Sequence, residues 1–566
     1  MLGSRFRRGL LLTALVLLAW GLLLLVTGGI LVETRWGHVS SRAPSRPIIA
    51  SGLLLLFYAV RFRQHWEADH ASLLPVSWPH VIAGTAVVMT LVVGVKWGTR
   101  IAGGPDPSGY VSQGALLARG ELVLPAPRWA ADAPWTHAEL SAAPIGYRPS
   151  RHRTGQAPTY APGLPLIMAA AQVAGGTGAV FYVVPVLGAI GVWATWLLGC
   201  ELGGRWVGAF AAALVSANAT FLLMLIQPMS DVPAATLWTL SLAASLRGRP
   251  VGAGAAAAVA ILVRPNLVPL VGVPLLVLLL PRRTTAMRTF LSFTVPTLPA
   301  AGLIAFLNWY YYGSPVFSGY GSLADLYSVE RVWLNIGRYG SWFFYANTPL
   351  MLLGLLAPAF FAGGSRMRLL LVVTVFPLAL LGLYLPYFVF APHEWTFLRF
   401  LLPGFPPLAA GFVICVREMW RRVLKPSEAI VATMVLVGGL SAYGWHIARQ
   451  NGLYELRRSD ERYAHAVRQV RTLPAKSVLV SLVHSGTLRF YTGRDVLRYE
   501  AIESGDIDRA LSFLEGRGYR LYFVGDYFEV DVFRARFPGT QAASRLSPAA
   551  MIDVDGAVVC PLTAAN

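Results

Sequence analysis

Long apolar runs separated by short polar breaks dominate the first 450 residues. The first run, Leu10 to Leu31, follows Arg5, Arg7 and Arg8. It exceeds the roughly 7–15 apolar residues of a signal peptide and is near the ~20 residues needed to cross a bilayer. A retained helix is predicted. Further spans are predicted at 47–60, 81–98, 179–200, 207–227, 232–246, 251–263, 267–280, 289–311, 343–362, 369–391, 398–416 and 428–446, thirteen in all. Alternate short loops are basic: Arg61 and Arg63; Arg205; Arg247 and Arg249; Arg282, Arg283 and Arg288; Arg366 and Arg368; Arg417, Arg421, Arg422 and Lys425. The positive-inside rule then predicts a cytoplasmic N-terminus. It sends the long loops 99–178 and 312–342, and the chain from 448, to the outer side.

Beyond 448 the pattern changes. Ser477–Val483 and Tyr519–Gly525 read as strands, and Asp506–Gly518 reads as a helix closed by glycine. Strands alternating with amphipathic helices predict a small extracytoplasmic α/β domain. The expected layout is an extra hairpin, 1–63, a helical membrane core, 64–447, and the α/β domain, 448–566. His484-Ser485-Gly486 reads as an ordinary strand-end turn. No internal repeat stands out, and the two long loops are unlike each other.

Composition sharpens this picture. The 566 residues are 55% hydrophobic and 13% charged, with a mean hydropathy of +0.55. That excludes a soluble enzyme of ordinary composition, which carries roughly 25% charged residues, and it excludes disorder. The net charge of +19 does not indicate nucleic acid, because the excess is arginine in loops between spans; lysine occurs only at 96, 425 and 476. The three cysteines, Cys200, Cys415 and Cys560, are far apart and suggest neither a disulfide framework nor a zinc site.

Five stretches could carry chemistry. In "GGPDPSGYVSQGALLARGELV" (103–123), Asp106 sits just past a span between two prolines, an irregular backbone that presents a side chain. A short helix lying on the membrane surface is expected to follow. The loop closes with "PTYAPGLPLIMAAAQVAGG" (158–176), whose apolar part is too short to span and reads as interfacial or re-entrant. In "LIQPMSDVPAATLW" (225–238), Asp231 opens a helix, where capping chemistry alone would explain it. In "LVRPNLVPL" (262–270), Arg264 either snorkels to headgroups or offers a cation to a phosphate. In "NWYYYGSPVFSGYGSLADLY" (308–327), an aromatic belt explains the first tyrosines, whereas Tyr320 could bind a substrate by its hydroxyl and ring. In "PHEWTFLRFLLPGFPPLAAG" (392–411), His393 and Glu394 stand in the last outer loop, and Arg399 lies one turn into a span. Asp106 and Asp231 fall on the same predicted membrane face, where ionisable groups are costly and often functional.

In this order and topology, Asp106-x-x-x-Tyr110, Tyr160-Ala-Pro-Gly-Leu-Pro, Ser230-Asp231-x-Pro233, "YYYGSPVFSGYG" and "LRFLLPGFP" resemble the GT-C type of integral-membrane glycosyltransferase. The nearest look is to bacterial relatives of dolichyl-phosphate-mannose protein mannosyltransferases and of the lipid A aminoarabinose transferase. The resemblance covers about 80–416.

It implies transfer of a hexose or pentose from a polyprenyl-phosphate donor to a glycan, lipid or protein acceptor outside a bacterial cytoplasmic (inner) membrane. It gives Asp106 the role of base, with inversion, and Asp231 that of orienting the acceptor or a neighbouring cation. Arg264 and Arg399, with Tyr110 and Tyr160 near them, would hold the donor phosphate. Tyr320, His393 and Glu394 would line the acceptor side. No cofactor is required; a divalent metal stays open, although the single acid at Asp106 argues against a tightly held one, which usually needs several oxygen ligands. The chain departs from the family in its extra N-terminal hairpin, in having no acid paired with Asp106, and in Gly109, which stands where some relatives carry a cation.

Two other classes fit thirteen spans. A lipid or glycan transporter or flippase should show mid-span charges and internal symmetry, and an inactive scaffold would not need Asp106. A ligase or polymerase using a lipid-diphosphate oligosaccharide would need more cations than these.

Overall fold

The computed structural model describes residues 2–27, 30–34, 37–41, 45–65, 69, 77–151, 155–280, 285–391 and 393–563. Arg282 and Arg283 lie outside the described residues. The protein is mostly helical with a small sheet region. Among the described residues, seven helices are long and apolar enough to cross a membrane: Ser45–Phe62, Trp78–Trp97, Thr177–Gly203, Ala286–Tyr312, Gly363–Tyr384, Trp395–Trp420 and Pro426–Gln450. The count rises to nine if each of two bent pairs is one span. Each of the seven falls on a predicted span, and the first apolar run forms the helix Leu2–Thr27.

The other predicted spans are shorter or broken. The 232–246 span is the 16-residue helix Asp231–Leu246. The 251–263 span is Pro250–Val263, and 267–280 splits into a 3-10 turn, Pro265–Val271, and a helix, Gly272–Leu279. The 207–227 span breaks into Arg205–Ser216 and Ala219–Leu225, bent by 62°. Asn218 makes this break by capping the second piece, accepting the Phe221 N–H at 3.0 Å. The 343–362 span breaks by 98° between Arg331–Asn347 and Pro349–Phe360. There a helix ends because the residue before proline resists the α conformation. The two breaks meet, with Asn218 Nδ2 donating to Asn347 Oδ1. The Arg331–Asn347 helix also fills part of the expected loop 312–342.

Small residues let the helices approach. A Cβ on Gly199 would lie 2.6 Å from Gly208 Cα, so these two helices pack backbone to backbone. The N-terminal hairpin packs Leu11 and Ala14 against Leu55 and Tyr58, and reaches the Pro426–Gln450 helix through Met434. Its two helices are joined by short antiparallel strands, Ile30–Thr34 and Gly37–Ser41. Buried Asp69 accepts from Arg7 Nε at 2.7 Å and Tyr58 OH at 2.8 Å.

The 99–178 connection folds with the chain beyond 448. Its helix Pro105–Ala118 was expected on a membrane surface, but Pro107–Leu116 are buried. The short helix Gly163–Gly175 covers one side, where a Cβ on Gly114 would touch Met168 Cβ at 3.0 Å. The C-terminal sheet runs Asp495–Leu497, Ser477–Val480, Arg520–Asp526, Ala557–Pro561, Ile552–Asp553. The first three strands are parallel and the last two antiparallel. Trp129 and Trp135 of the connection are buried in the same core as Val478, Leu497 and Phe523. Trp129 Nε1 donates to Asp495 Oδ2 at 3.1 Å.

Candidate active site

Asp106 is placed by glycine and proline. After the Trp78–Trp97 helix the chain turns at Gly104, whose φ of +75° suits glycine alone. Pro105 then opens the helix Pro105–Ala118, and Asp106 stands in its first turn. A carboxylate there is favoured by the N–H groups and dipole of the helix. Its Oδ1 accepts from Tyr160 OH at 2.8 Å and its Oδ2 from Arg399 Nη2 at 2.9 Å.

Tyr160 reaches Asp106 through a gap made by glycines. A Cβ on Gly109 would come 2.0 Å from the Tyr160 ring, and one on Gly146 would come 2.9 Å from Gly109 Cα. Residue 109 is therefore small because an aromatic ring occupies the space of its side chain. Burial, and then the Asp106 charge, hold the Tyr160 phenol well above its usual pKa. Burial likewise raises that of Tyr110. Both remain donors at neutral pH. Their rings lie 4.5 Å apart, and Tyr320 meets Tyr160 edge-on at 5.9 Å.

Asp231 is fully buried in the first turn of its helix. Ser230, at the cap position, does not cap with its side chain. Its Oγ instead accepts from Tyr110 OH at 2.9 Å and Arg264 Nε at 3.2 Å. Asp231 Oδ1 pairs with Arg264 Nη2 at 2.5 Å and lies 4.0 Å from Arg399 Nε. Arg264 sits where the apolar Pro250–Val263 helix gives way to Pro265, and its guanidinium faces the ring of Phe400. Arg399 projects from the 3-10 segment Trp395–Gly404, between the rings of Phe397 and Phe400.

Two carboxylates and two guanidinium groups thus alternate as Asp106, Arg399, Asp231, Arg264. The formal charges cancel, which is the condition for holding four ionised groups in a largely buried place. Among the described residues, two polar atoms of this cluster have no hydrogen-bond partner: Asp231 Oδ2, an acceptor, and Arg399 Nε, a donor. Six residues singled out by sequence therefore share one cluster: Asp106, Tyr110, Tyr160, Asp231, Arg264 and Arg399. Tyr320 borders it. His393 and Glu394 are both exposed, and among the described residues no side-chain hydrogen bond ties either to the cluster.

Sequence reasoning missed Tyr384 and Asn266. Tyr384 OH accepts from Arg264 Nη1 at 3.3 Å and from Asn266 Nδ2 at 3.0 Å. Asn266, two residues after Arg264 in an apolar hairpin, was visible as an isolated polar residue. Tyr384, inside a span, carried no local signal.

No family model matches the sequence, and no curated protein matches it. Solved structures do. ArnT from Cupriavidus metallidurans bound to undecaprenyl phosphate superposes with a TM-score of 0.53 at 14% identity, over 86% of this chain and 98% of that one. The same protein in the apo state gives 0.54 at 15% identity, over 86% and 98%. The chain has the fold of the GT-C membrane glycosyltransferases and is a multi-pass membrane protein.

Proposed function

We propose that this chain, with its GT-C membrane glycosyltransferase fold, moves a hexose or pentose from a polyprenyl-phosphate donor to an extracytoplasmic glycan, lipid or protein. The observation that carries the proposal is the alternating cluster Asp106, Arg399, Asp231, Arg264, with its unpartnered Asp231 Oδ2 and Arg399 Nε. ArnT, which shares the fold, has been captured with undecaprenyl phosphate.

The phosphate of the donor would sit against Arg264 and Arg399, and Asp231 would keep both guanidinium groups in place. Of the two roles expected of Asp231, orienting the acceptor or a neighbouring cation, its pairing with two arginines supports the second, and its other oxygen is left for a sugar or acceptor hydroxyl. Asp106 would take the proton of the acceptor hydroxyl while its oxygen attacks the anomeric carbon with inversion. The bond to the phosphate oxygen breaks, and polyprenyl phosphate leaves with the bonding pair. General-base help of this kind is worth roughly 10²–10⁴ in rate, and fixed cations beside the leaving phosphate add the electrostatic part. A resident divalent metal is not needed in this scheme, because Arg399 already joins the two carboxylates. The site would face the outer side of a bacterial cytoplasmic membrane, with the N-terminus cytoplasmic.

The test is transfer in proteoliposomes from a panel of radiolabelled polyprenyl-phosphate sugars to extracted envelope acceptors. Wild type should transfer from one donor class, chelator should not stop it, and Asp106→Asn should lose at least 100-fold. Unchanged transfer by Asp106→Asn would remove the base. Absence of transfer from every donor, with acceptor competence verified by a known transferase, would remove the reaction.

A further inference from the structure

The segment that presents Asp106 is held by the chain beyond 448, at residues the membrane core does not supply. The backbone of Ala102 is gripped at both ends: its N–H donates to Tyr491 OH at 3.1 Å and its carbonyl accepts from buried Thr487 Oγ1 at 2.7 Å. At Gly103 the ring of Tyr463 takes the side-chain space, since a Cβ there would fall 2.2 Å from it. At Ser108, two residues past Asp106, the contact is Gly486: a Cβ on it would lie 2.4 Å from Ser108 Oγ and 2.9 Å from the Ile145 carbonyl. Ser485 Oγ accepts the N–H of Ile145 at 3.0 Å, next to Gly146, which crosses Gly109.

Asp106 therefore projects from a short stretch pinned on both sides by one eight-residue helix, Ser485–Thr492, and by the ring of Tyr463. That helix is itself fixed from behind. His484 is fully buried, with Nε2 2.9 Å from Asp526 Oδ1 at the end of a sheet strand, and its ring packs on Tyr463 at 4.5 Å. Arg462 holds the same Asp526 oxygen at 3.1 Å. The chain Asp526, His484, Tyr463, Gly103 runs from the sheet to the turn before Asp106.

We propose that the C-terminal region is the positioning element for the base: Thr487, Gly486 and Tyr463 set where Asp106 stands relative to Arg399 and Tyr160. This rests on Asp106 acting as the base. A base displaced by about 1 Å can cost on the order of 10² in rate without loss of donor binding.

Two readouts test it on the full chain in proteoliposomes. Thr487→Val removes the hydroxyl at nearly constant shape, Gly486→Val pushes on Ser108, and Thr487→Ser restores the hydroxyl. Both valine variants should lower kcat by about 10- to 100-fold with donor KM within about 2-fold, and Thr487→Ser should recover most of the rate. Gly505→Ala, where an added methyl meets nothing, should match wild type. Amide exchange over 101–112 should rise in both valine variants while the 405–420 helix and the C-terminal sheet stay protected. Wild-type kcat and exchange in both valine variants would overturn the proposal. So would loss of kcat and donor affinity together with protection lost throughout, which marks a merely structural contact. If Asp106→Asn is inactive while the valine variants are not, the positioning role fails and the transferase reading stands. If no protein transfers sugar, the transferase reading fails, and the exchange at 101–112 still decides whether the C-terminal region holds this segment.

Discussion

The ring of Tyr160 lies across Gly109, in the space where any other residue would carry its side chain. That crossing brings the Tyr160 hydroxyl to Asp106 Oδ1 at 2.8 Å. Gly109→Ala should therefore displace the ring and break this bond without touching either partner. A fall in transfer rate of about 10- to 100-fold is expected, with the protein still inserted and its melting temperature changed by a few degrees. Gly178→Ala, where a methyl meets nothing, is the matched control. Equal rates for the two variants would mean that the Tyr160 contact does not matter to Asp106.

Arg399 joins Asp106 to Asp231. A lysine at 399 keeps the charge but presents one compact ammonium where a planar fork spans two carboxylates. Arg399→Lys should cut kcat by about 10²–10³-fold, the range seen when one fixed donor to a developing anion is lost. Asp231→Asn should be nearly as damaging, because it leaves Arg264 buried beside a neutral amide. The pair makes a double-mutant cycle in transfer rate: strongly sub-additive losses are expected of groups that act as one unit. Additive losses would show that the two serve separate steps.

The membrane helices were legible because their apolar runs approach the length that crosses a bilayer, and most of the candidate site because charges are rare in and at the ends of such runs. Asp231, Arg264 and Arg399 stood out for that reason, and Asp106 for its place between two prolines just past a span. The breaks at Asn218 and Thr348 were not legible, since an apolar run of 20 residues reads the same straight or bent. Nor was the union of the 99–178 connection with the C-terminal sheet, which rests on Trp129 and Trp135 burying themselves hundreds of residues away. Ser485-Gly486 looked like an ordinary turn because its partner, the Asp106 segment, is equally remote in sequence. His393 and Glu394 were chosen for their place in the last outer loop, and that loop leaves both exposed.

Thr348 occupies φ 63°, ψ 151° at the sharper of the two breaks, a region that suits glycine and strains a β-branched residue. Its buried hydroxyl also has no hydrogen-bond partner among the described residues. Thr348→Gly should remove both faults and stabilise the protein by about 1 kcal/mol after the entropy of glycine is subtracted. Thr348→Ala removes only the hydroxyl and keeps the Cβ in the strained region, so it should gain less. Thermal melts of the three proteins in detergent rank them, and an alanine variant that melts above the glycine variant would reject the strain argument.

Asp460 lies outside the membrane helices, where burial, aided by Asp526 and opposed by Arg462, pushes its pKa up to about 6. A carboxyl that is harder to ionise in the folded state than in the unfolded chain favours folding while it stays protonated. That contribution is complete below about pH 4 and is lost as pH rises through about 6. At neutral pH the protein therefore carries a half-buried carboxylate at a cost of about 1–3 kcal/mol. Asp460→Asn should raise the melting temperature at pH 7.5 and leave it unchanged near pH 4. Between those limits the difference between variant and wild type should grow with pH, most steeply from 4 to 6. Because both proteins share every other titrating group, subtracting their melting curves isolates this one. A difference that is constant from pH 4 to 7.5 would mean that Asp460 ionises as freely in the folded protein as in the unfolded chain.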